Sequence, residues 1–356
     1  MKAAPVIAAI TRICPDVEQK LIHTGQHYDA AMSDVFFEQL GLPHPDINLG
    51  VGAGTHGAQT AQIMTRLEES LMKEKPELAL VYGDVNSTVA AALVCAKMGI
   101  PFGHVEAGLR SFDRTMPEEI NRVVTDQLAD LHFTPSADGD ENLLREGISK
   151  EKIHRVGNVM IDTLVRLRGA AQMHWEEMGK TLGPEFNSAR KFVLVTLHRP
   201  TNVDDASRLT GLMRALQTIA KKIQVVFPVH PRTRAQIEDA GINNSKEALL
   251  LTPPVGYLDF LALQERAALV VTDSGGVQEE TTFLGVPCLT LRKNTERPVT
   301  VEQGTNELAG DEPERLPEWV EKRLAGGKRA HRIPELWDGK AGERIAAVLA
   351  KKSNES

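Results

Sequence analysis

The chain is poor in the residues that would tie it to disulfides, metals or membranes. In 356 residues there are three cysteines, Cys14, Cys95 and Cys288, scattered through apolar or helical stretches, with no Cys-x-x-Cys pair and no histidine at metal-ligand spacing. That excludes a disulfide framework and a cysteine zinc site, and reads as reduced core cysteines of a cytoplasmic protein with no metal site. No apolar run approaches the length of a membrane span, and none follows a basic start as a secretory signal would. Positive charge is not in excess: the net charge of −7 argues against a nucleic-acid or anionic-membrane surface and points to a small ligand. A dinucleotide fingerprint is missing too. The nearest approach, Gly50-Val-Gly52-Ala-Gly54, lacks the third glycine at the right offset and follows no buried strand, so no nicotinamide cofactor is expected.

What is present is an ordinary globular composition, 42% hydrophobic and 25% charged, long enough for two cores. Apolar strand candidates at 21–23, 78–82, 101–105, 192–196, 224–227, 249–251, 268–271 and 288–291 alternate with helical periods at 55–71, 137–145, 206–220, 275–284 and 319–324. This alternation predicts α/β architecture with parallel sheets covered by helices. A polar interruption sets the domain limits: a first Rossmann-like domain over 1–169, a linker over 170–190, a second Rossmann-like domain over 191–340, and a terminal helix and tail over 341–356 that could pack on either. Two such doubly wound domains facing each other would enclose a cleft.

Charge is concentrated between residues 84 and 122, where Asp84, His104, Glu106, Arg110, Glu118, Glu119 and Arg122 occur in one short stretch. Asp84 and Glu106 each follow a short apolar run, which puts both carboxylates beyond strand ends, where open α/β sheets bind ligands. The plain alternative is helix capping by Asp84 and first-turn glutamates after Pro117. Three acids with interleaved arginines favour a shared polar cleft, because burying such groups costs free energy unless they are paired or face a ligand.

The second half carries Val-Val-Thr-Asp-Ser274-Gly275-Gly276-Val-Gln-Glu-Glu280, a strand end, two glycines and a helix start. Backbone N–H groups and the helix terminus there suit a diphosphate, Ser274 adds a hydroxyl, and Glu280 could accept from ribose hydroxyls. An ordinary strand-to-helix turn would look similar. His198 and His230 also stand at strand ends, on the presumed side of Ser274.

Taken in order, Thr-Gly-Gln-His from Thr24, Gly-Asp from Gly83, His-Val-Glu-Ala-Gly-Leu-Arg from His104, Pro-Glu-Glu-x-Asn-Arg from Pro117, Gly-Asn-Val-Met-Ile-Asp from Gly157, His-Arg from His198, Asp-Ser-Gly-Gly-Val-Gln-Glu-Glu from Asp273 and Thr-Glu-Arg-Pro from Thr295 resemble the non-hydrolysing UDP-N-acetylglucosamine 2-epimerase family over nearly the whole chain. The resemblance implies a GT-B-like fold and interconversion of UDP-N-acetylglucosamine and UDP-N-acetylmannosamine for surface polysaccharide synthesis. It further implies catalytic roles for Asp84, Glu106, Glu118 and His198. Lys2, Arg122, His230, Tyr257, Phe260, Ser274, Gly275, Gly276 and Glu280 would bind the UDP-sugar, with 257–260 by the uracil ring, and the working form would be a homodimer. Alternatives are a modified substrate of the diacetamido uronic acid type, a GT-B glycosyltransferase, a hydrolysing epimerase, or a UDP-sugar binder without turnover.

Two departures from the family stand out. Many bacterial members read His-Arg-Arg-Glu where this chain has His198-Arg199-Pro200-Thr201, and Tyr28-Asp29 replaces a polar and basic pair, at positions that help form a regulatory substrate site in such members. Members also normally begin with a strand and Gly-Thr-Arg-Pro-Glu-Ala-Ile-Lys, of which only the final lysine aligns here, as Lys2. The expectation is a truncated or misplaced start that leaves two neighbouring strands without a partner.

Overall fold

The computed structural model describes residues 1–25, 40–239, 248–327 and 330–353, without the side chains of Pro200 and Arg232. Tyr28 and Asp29, and Gln26-His27 of the first family motif, lie outside the described residues. The chain divides into two compact units, Met1–Thr163 with Glu335–Ser356, and Leu164–Pro334.

Unit 1 is built on a four-stranded parallel sheet of order β3-β4-β5-β6, with β3 Ala79–Tyr82, β4 Phe102–Val105, β5 Leu131–Thr134 and β6 Ile153–Arg155. A separate parallel pair joins β1 Ile22–His23 to β2 Ile47–Asn48. Among the described residues β1 and β3 are thus each an edge of their sheet. Every position of β4 and β5 is buried, as expected of central parallel strands covered on both faces.

The helices of this unit are α1 Ala3–Ile13, α2 His56–Glu74, α3 Asn86–Met98, α4 Pro117–Leu128 and α5 Ala137–Arg145, followed by α6 Val159–His174, which runs across the unit boundary. The α2 helix starts where the Thr55 hydroxyl accepts from Ala58 N–H, and buries Ile63, Leu67 and Leu71 at four-residue spacing against Val81 and Phe102. Gly99, at φ 68°, ends α3 in the left-handed conformation that glycine adopts without strain.

The Gly157 motif is structural. Asp162, within α6, accepts from the backbone N–H groups of Ala341 (3.0 Å) and Gly342 (2.7 Å) and so caps the last helix, Ala341–Ser353. That helix buries Ala341, Ile345 and Ala346 against Val6, Ile10 and Phe133.

Unit 2 is a six-stranded parallel sheet of order β12-β11-β10-β7-β8-β9. Its strands are β7 Phe192–Thr196, β8 Gln224–Pro228, β9 Leu249–Thr252, β10 Leu269–Thr272, β11 Cys288–Thr290 and β12 Asn306–Leu308. Its helices are α7 Met178–Leu182, α8 Pro200–Val203, α9 Ala206–Ala220, α10 Pro231–Asp239, α11 Tyr257–Arg266, α12 Gly275–Leu284, α13 Pro298–Glu302 and α14 Leu316–Ala325, and the terminal helix is α15. From β7 the chain steps outward through β8 and β9, then returns to β10 on the other side of β7 and steps away again. The β7/β10 pair is therefore the topological switch point, where doubly wound sheets bind ligands.

The polar segment 170–190 is ordered within this unit: it holds the end of α6, a short 3-10 turn and α7, with Met178 and Leu182 buried. Trp175 stacks on Phe192 at 6.2 Å between ring centroids. Cys95 and Cys288 are buried free thiols whose pKa values burial pushes up to about 11 and about 12, so they are inert. No helix among the described residues is long and apolar enough to cross a membrane.

Candidate active site

In unit 1 the strand ends deliver the acids. Asp84 follows β3, and its carboxylate is paired with the guanidinium of Arg122 on α4, whose Nη2 also lies 2.8 Å from Glu119. Capping does not account for Asp84: the residue preceding α3 is Val85, and its helix start has no side-chain cap. Arg122 is 1% exposed with carboxylates as partners, so it holds Asp84 in place from the interior.

Glu106, just beyond β4, is 5% exposed and has φ 80°, a left-handed conformation that a non-glycine residue adopts only at a cost. Its carboxylate lies 2.7 Å from Lys2 Nζ, so Lys2, expected among the residues that bind the UDP-sugar, pairs here with a carboxylate.

The neighbouring glutamates of α4 differ in kind. Glu119 is buried and accepts from Ser111 N–H (2.9 Å), Phe112 N–H (2.9 Å) and the Ser111 hydroxyl (3.0 Å), which fixes the loop before the helix. Burial pushes its carboxyl up, but these donors and Arg122 win and hold it below the usual range. Glu118, on the first turn of α4, is half-exposed and is the one of the pair open to a ligand.

In unit 2 the groups gather at the switch point. Asp273, after β10, is fully buried and accepts from the backbone N–H groups of His198 and Arg199 and from Asn202 Nδ2 (2.8 Å). His198 Nδ1 lies 2.8 Å from Asp273 Oδ1. A carboxylate only accepts, so Nδ1 carries a proton and Nε2 is the nitrogen turned outward, on a side chain 61% exposed. Burial raises the Asp273 carboxyl, and the His198, Asn202 and backbone donors outweigh it and keep it low.

Ser274 precedes α12, and its hydroxyl makes no capping bond to the helix, which leaves the first-turn N–H groups at Gly275 and Gly276 for an anion. Beside them sits a cluster the sequence reading did not assign. Arg297 Nε is 2.8 Å from Glu279, its Nη1 pairs with Glu296, and Arg292 pairs with the same Glu296, all at most 6% exposed. A side chain at Gly275 would run into Arg297 and Glu296.

Glu280 is 3% exposed and accepts from the Tyr257 hydroxyl (2.8 Å) and Gln264 Nε2 (2.6 Å), one donor per oxygen. Each oxygen keeps a second lone pair. Burial pushes the carboxyl above the usual range despite both donors. Phe260 is half-buried one turn along α11 from Tyr257, and His230 is exposed after β8.

Sequence reasoning thus placed the acids, His198 and the glycine turn, and missed Asp273 and Arg297. Both were marked by motif, an aspartate between a buried strand and Ser-Gly-Gly and an arginine in Thr-Glu-Arg-Pro, but neither spacing shows that the side chain turns inward.

Comparison with known proteins agrees over nearly the full length. The UDP-N-acetylglucosamine 2-epimerase family pattern matches residues 11–350. The UDP-N-acetylglucosamine 2-epimerase of Methanococcus maripaludis is 43% identical over 354 residues, 98% of this chain and 94% of that protein. A UDP-2,3-diacetamido-2,3-dideoxy-D-glucuronate 2-epimerase of Pseudomonas aeruginosa is 44% identical over 335 residues, 93% of this chain and 91% of that protein. Among solved structures, the Methanocaldococcus jannaschii UDP-GlcNAc 2-epimerase in complex with UDP-GlcNAc and UDP superposes with a TM-score of 0.88 at 42% identity, covering 98% of this chain and 96% of that one. The strand-end acids, the switch-point histidine and this whole-length agreement lead to one conclusion: the chain belongs to the UDP-N-acetylglucosamine 2-epimerase family.

Proposed function

We propose that the protein interconverts UDP-N-acetylglucosamine and UDP-N-acetylmannosamine by eliminating and re-adding UDP. C2 of the sugar carries a non-acidic hydrogen with no adjoining carbonyl, so direct deprotonation is closed. In the elimination the C1–O bond to UDP breaks and C2 gives up its proton, leaving a 2-acetamidoglucal and UDP. In the return step UDP re-forms the C1–O bond while a proton is delivered to the other face of C2. The route is redox-neutral.

It needs acid/base groups on both faces of C2 and a clamp on the departing diphosphate. Asp84, Glu106 and Glu118 serve the first need. The start of α12 with Ser274, Gly275 and Gly276, assisted by His198 and His230, serves the second, with Glu280 on the ribose and Tyr257 and Phe260 by the uracil. The observation that carries this reading is Glu106, a buried carboxylate held in a costly backbone conformation beyond a central strand. From the family resemblance we also infer a cytoplasmic homodimer.

The test is turnover of UDP-N-acetylglucosamine in heavy water without added nicotinamide. Deuterium at C2 of both epimers is expected; epimers formed without C2 exchange would end the elimination reading. Release of free N-acetylmannosamine would instead identify a hydrolysing enzyme. The likeness to the Pseudomonas aeruginosa diacetamido-glucuronate epimerase supports a second reading of the substrate, decided by assaying both UDP-sugars side by side.

A further expectation concerns regulation. Pro200 stands where a second arginine would bind phosphate bidentately, and proline cannot replace it. Substrate saturation is therefore expected to be hyperbolic, and reverse turnover of UDP-N-acetylmannosamine to proceed without added UDP-N-acetylglucosamine. Sigmoidal curves, or a stalled reverse reaction, would show that a second site persists.

A further inference from the structure

His104 makes buried contacts that the sequence does not reveal. It lies within β4, fully buried, with Nδ1 2.6 Å from Asp126 Oδ1 and Nε2 2.9 Å from the Gly83 carbonyl oxygen. The ring thus bridges Asp126 to the turn that follows β3.

Asp126 is the hub of these contacts. Asp126, on α4, also lies 2.7 Å from Arg110 Nη1 and accepts from Gly108 N–H at 3.1 Å. Burial raises its carboxyl, but His104 and Arg110 outweigh burial and bring it to about 2, so it is ionised at neutral pH. Arg110 is shared with Glu146, after α5, through contacts of 2.8 and 2.6 Å. His132, the register partner of His104 on β5, donates Nε2–H to the Asp126 carbonyl at 2.7 Å, and burial lowers its own pKa. Arg110 thus faces two carboxylates in the interior, which is how buried charge becomes tolerable.

Each contact ends on a turn that carries a site residue. Gly83, at φ 70°, precedes Asp84, and Gly108, at φ 82°, follows Glu106 by two positions. Asp126 grips the first turn through His104 and the second directly. The Phe133 carbonyl accepts from both Glu106 and Ala107 N–H (3.0 and 3.1 Å), which completes the restraint on the strained residue. The same helix, α4, bears Glu118 and the Arg122 that holds Asp84.

We infer that the Asp126–His104 pair is a positioning device that fixes the spacing of Asp84 and Glu106, the two turns being locked to one carboxylate of α4. The inference rests on the reading of those two acids as catalytic. A shift of about 1 Å in such a group costs on the order of 10²-fold in rate.

The test uses the full chain. His104→Gln is expected to lower kcat ten- to a hundredfold per folded molecule, with the Kd for UDP within about twofold of the parent. His132→Gln, which loosens the same interior without touching either turn, is expected to lower Tm and leave kcat within about twofold. A kcat for His104→Gln equal to the parent's, or equal losses in both variants at matched Tm, would reduce the pair to ordinary core structure. Should His104→Gln not fold, the same comparison made with His104→Asn decides. If Glu106→Gln and Asp84→Asn stay active, the catalytic reading fails instead, a result separable from the first.

Discussion

Glu106→Gln is expected to reduce kcat by about 10²-fold or more, while the Kd for UDP stays within about threefold of the parent. The amide is isosteric and still accepts from Lys2, so the fold should persist, with Tm changed by only a few degrees. What it lacks is a carboxylate that can take up or release the C2 proton. A loss of UDP affinity matching the loss of rate would place Glu106 in binding instead of proton transfer, and near-normal kcat would remove it from the mechanism. The sizes of the two effects separate the roles cleanly, because the UDP-binding groups proposed here lie in unit 2 and Glu106 lies in unit 1.

The second large effect is expected at Gly275. Replacing glycine by alanine in a helix ordinarily stabilises by about 0.4–1 kcal/mol. Here the new Cβ would stand 2.7 Å from Arg297 Cζ and 2.8 Å from Glu296 Oε1, closer than real side chains tolerate. Arg297 cannot yield freely, since it neutralises Glu279, which is 1% exposed, and breaking a buried pair costs about 3–5 kcal/mol. The clash outweighs the helix gain. Gly275→Ala is therefore expected to lower Tm clearly and to weaken UDP binding tenfold or more, read by thermal denaturation and calorimetric titration. A variant as stable as the parent would mean that the cluster relaxes cheaply.

These cases show what a sequence discloses and what it withholds. Strands β7, β8, β9, β10 and β11 were legible because each is an apolar run between a helical period and a turn, and their ends placed His198 and Ser274 correctly. The strands at Leu131–Thr134 and Ile153–Arg155 were not, because His132, Thr134, His154 and Arg155 break the apolar pattern, and β12 begins with Asn306. In β5 the polar residues are buried because partners elsewhere satisfy them, and no local period records that. The same limit applies to the site. Asp84 and Glu106 could be placed from strand ends, whereas Arg122, read as a ligand-binding residue, turned out to clamp Asp84, and Lys2 pairs with Glu106. The terminal helix could not be assigned to a side until Asp162 was seen to cap it. Charge type is written in the sequence, but direction is set by contacts 38 to 180 residues away.

That capping contact also sets an order of assembly. Unit 2 is one uninterrupted stretch, Leu164–Pro334, whereas unit 1 needs residues from both sides of it. On a ribosome, where synthesis runs at roughly 5–20 residues per second, unit 2 can close while the chain is still growing. Unit 1 has to wait, with Val6, Ile10 and Phe133 uncovered, for α15, which is synthesised only after the whole of unit 2. The acid-bearing half therefore keeps apolar surface exposed for longer during synthesis than unit 2 does.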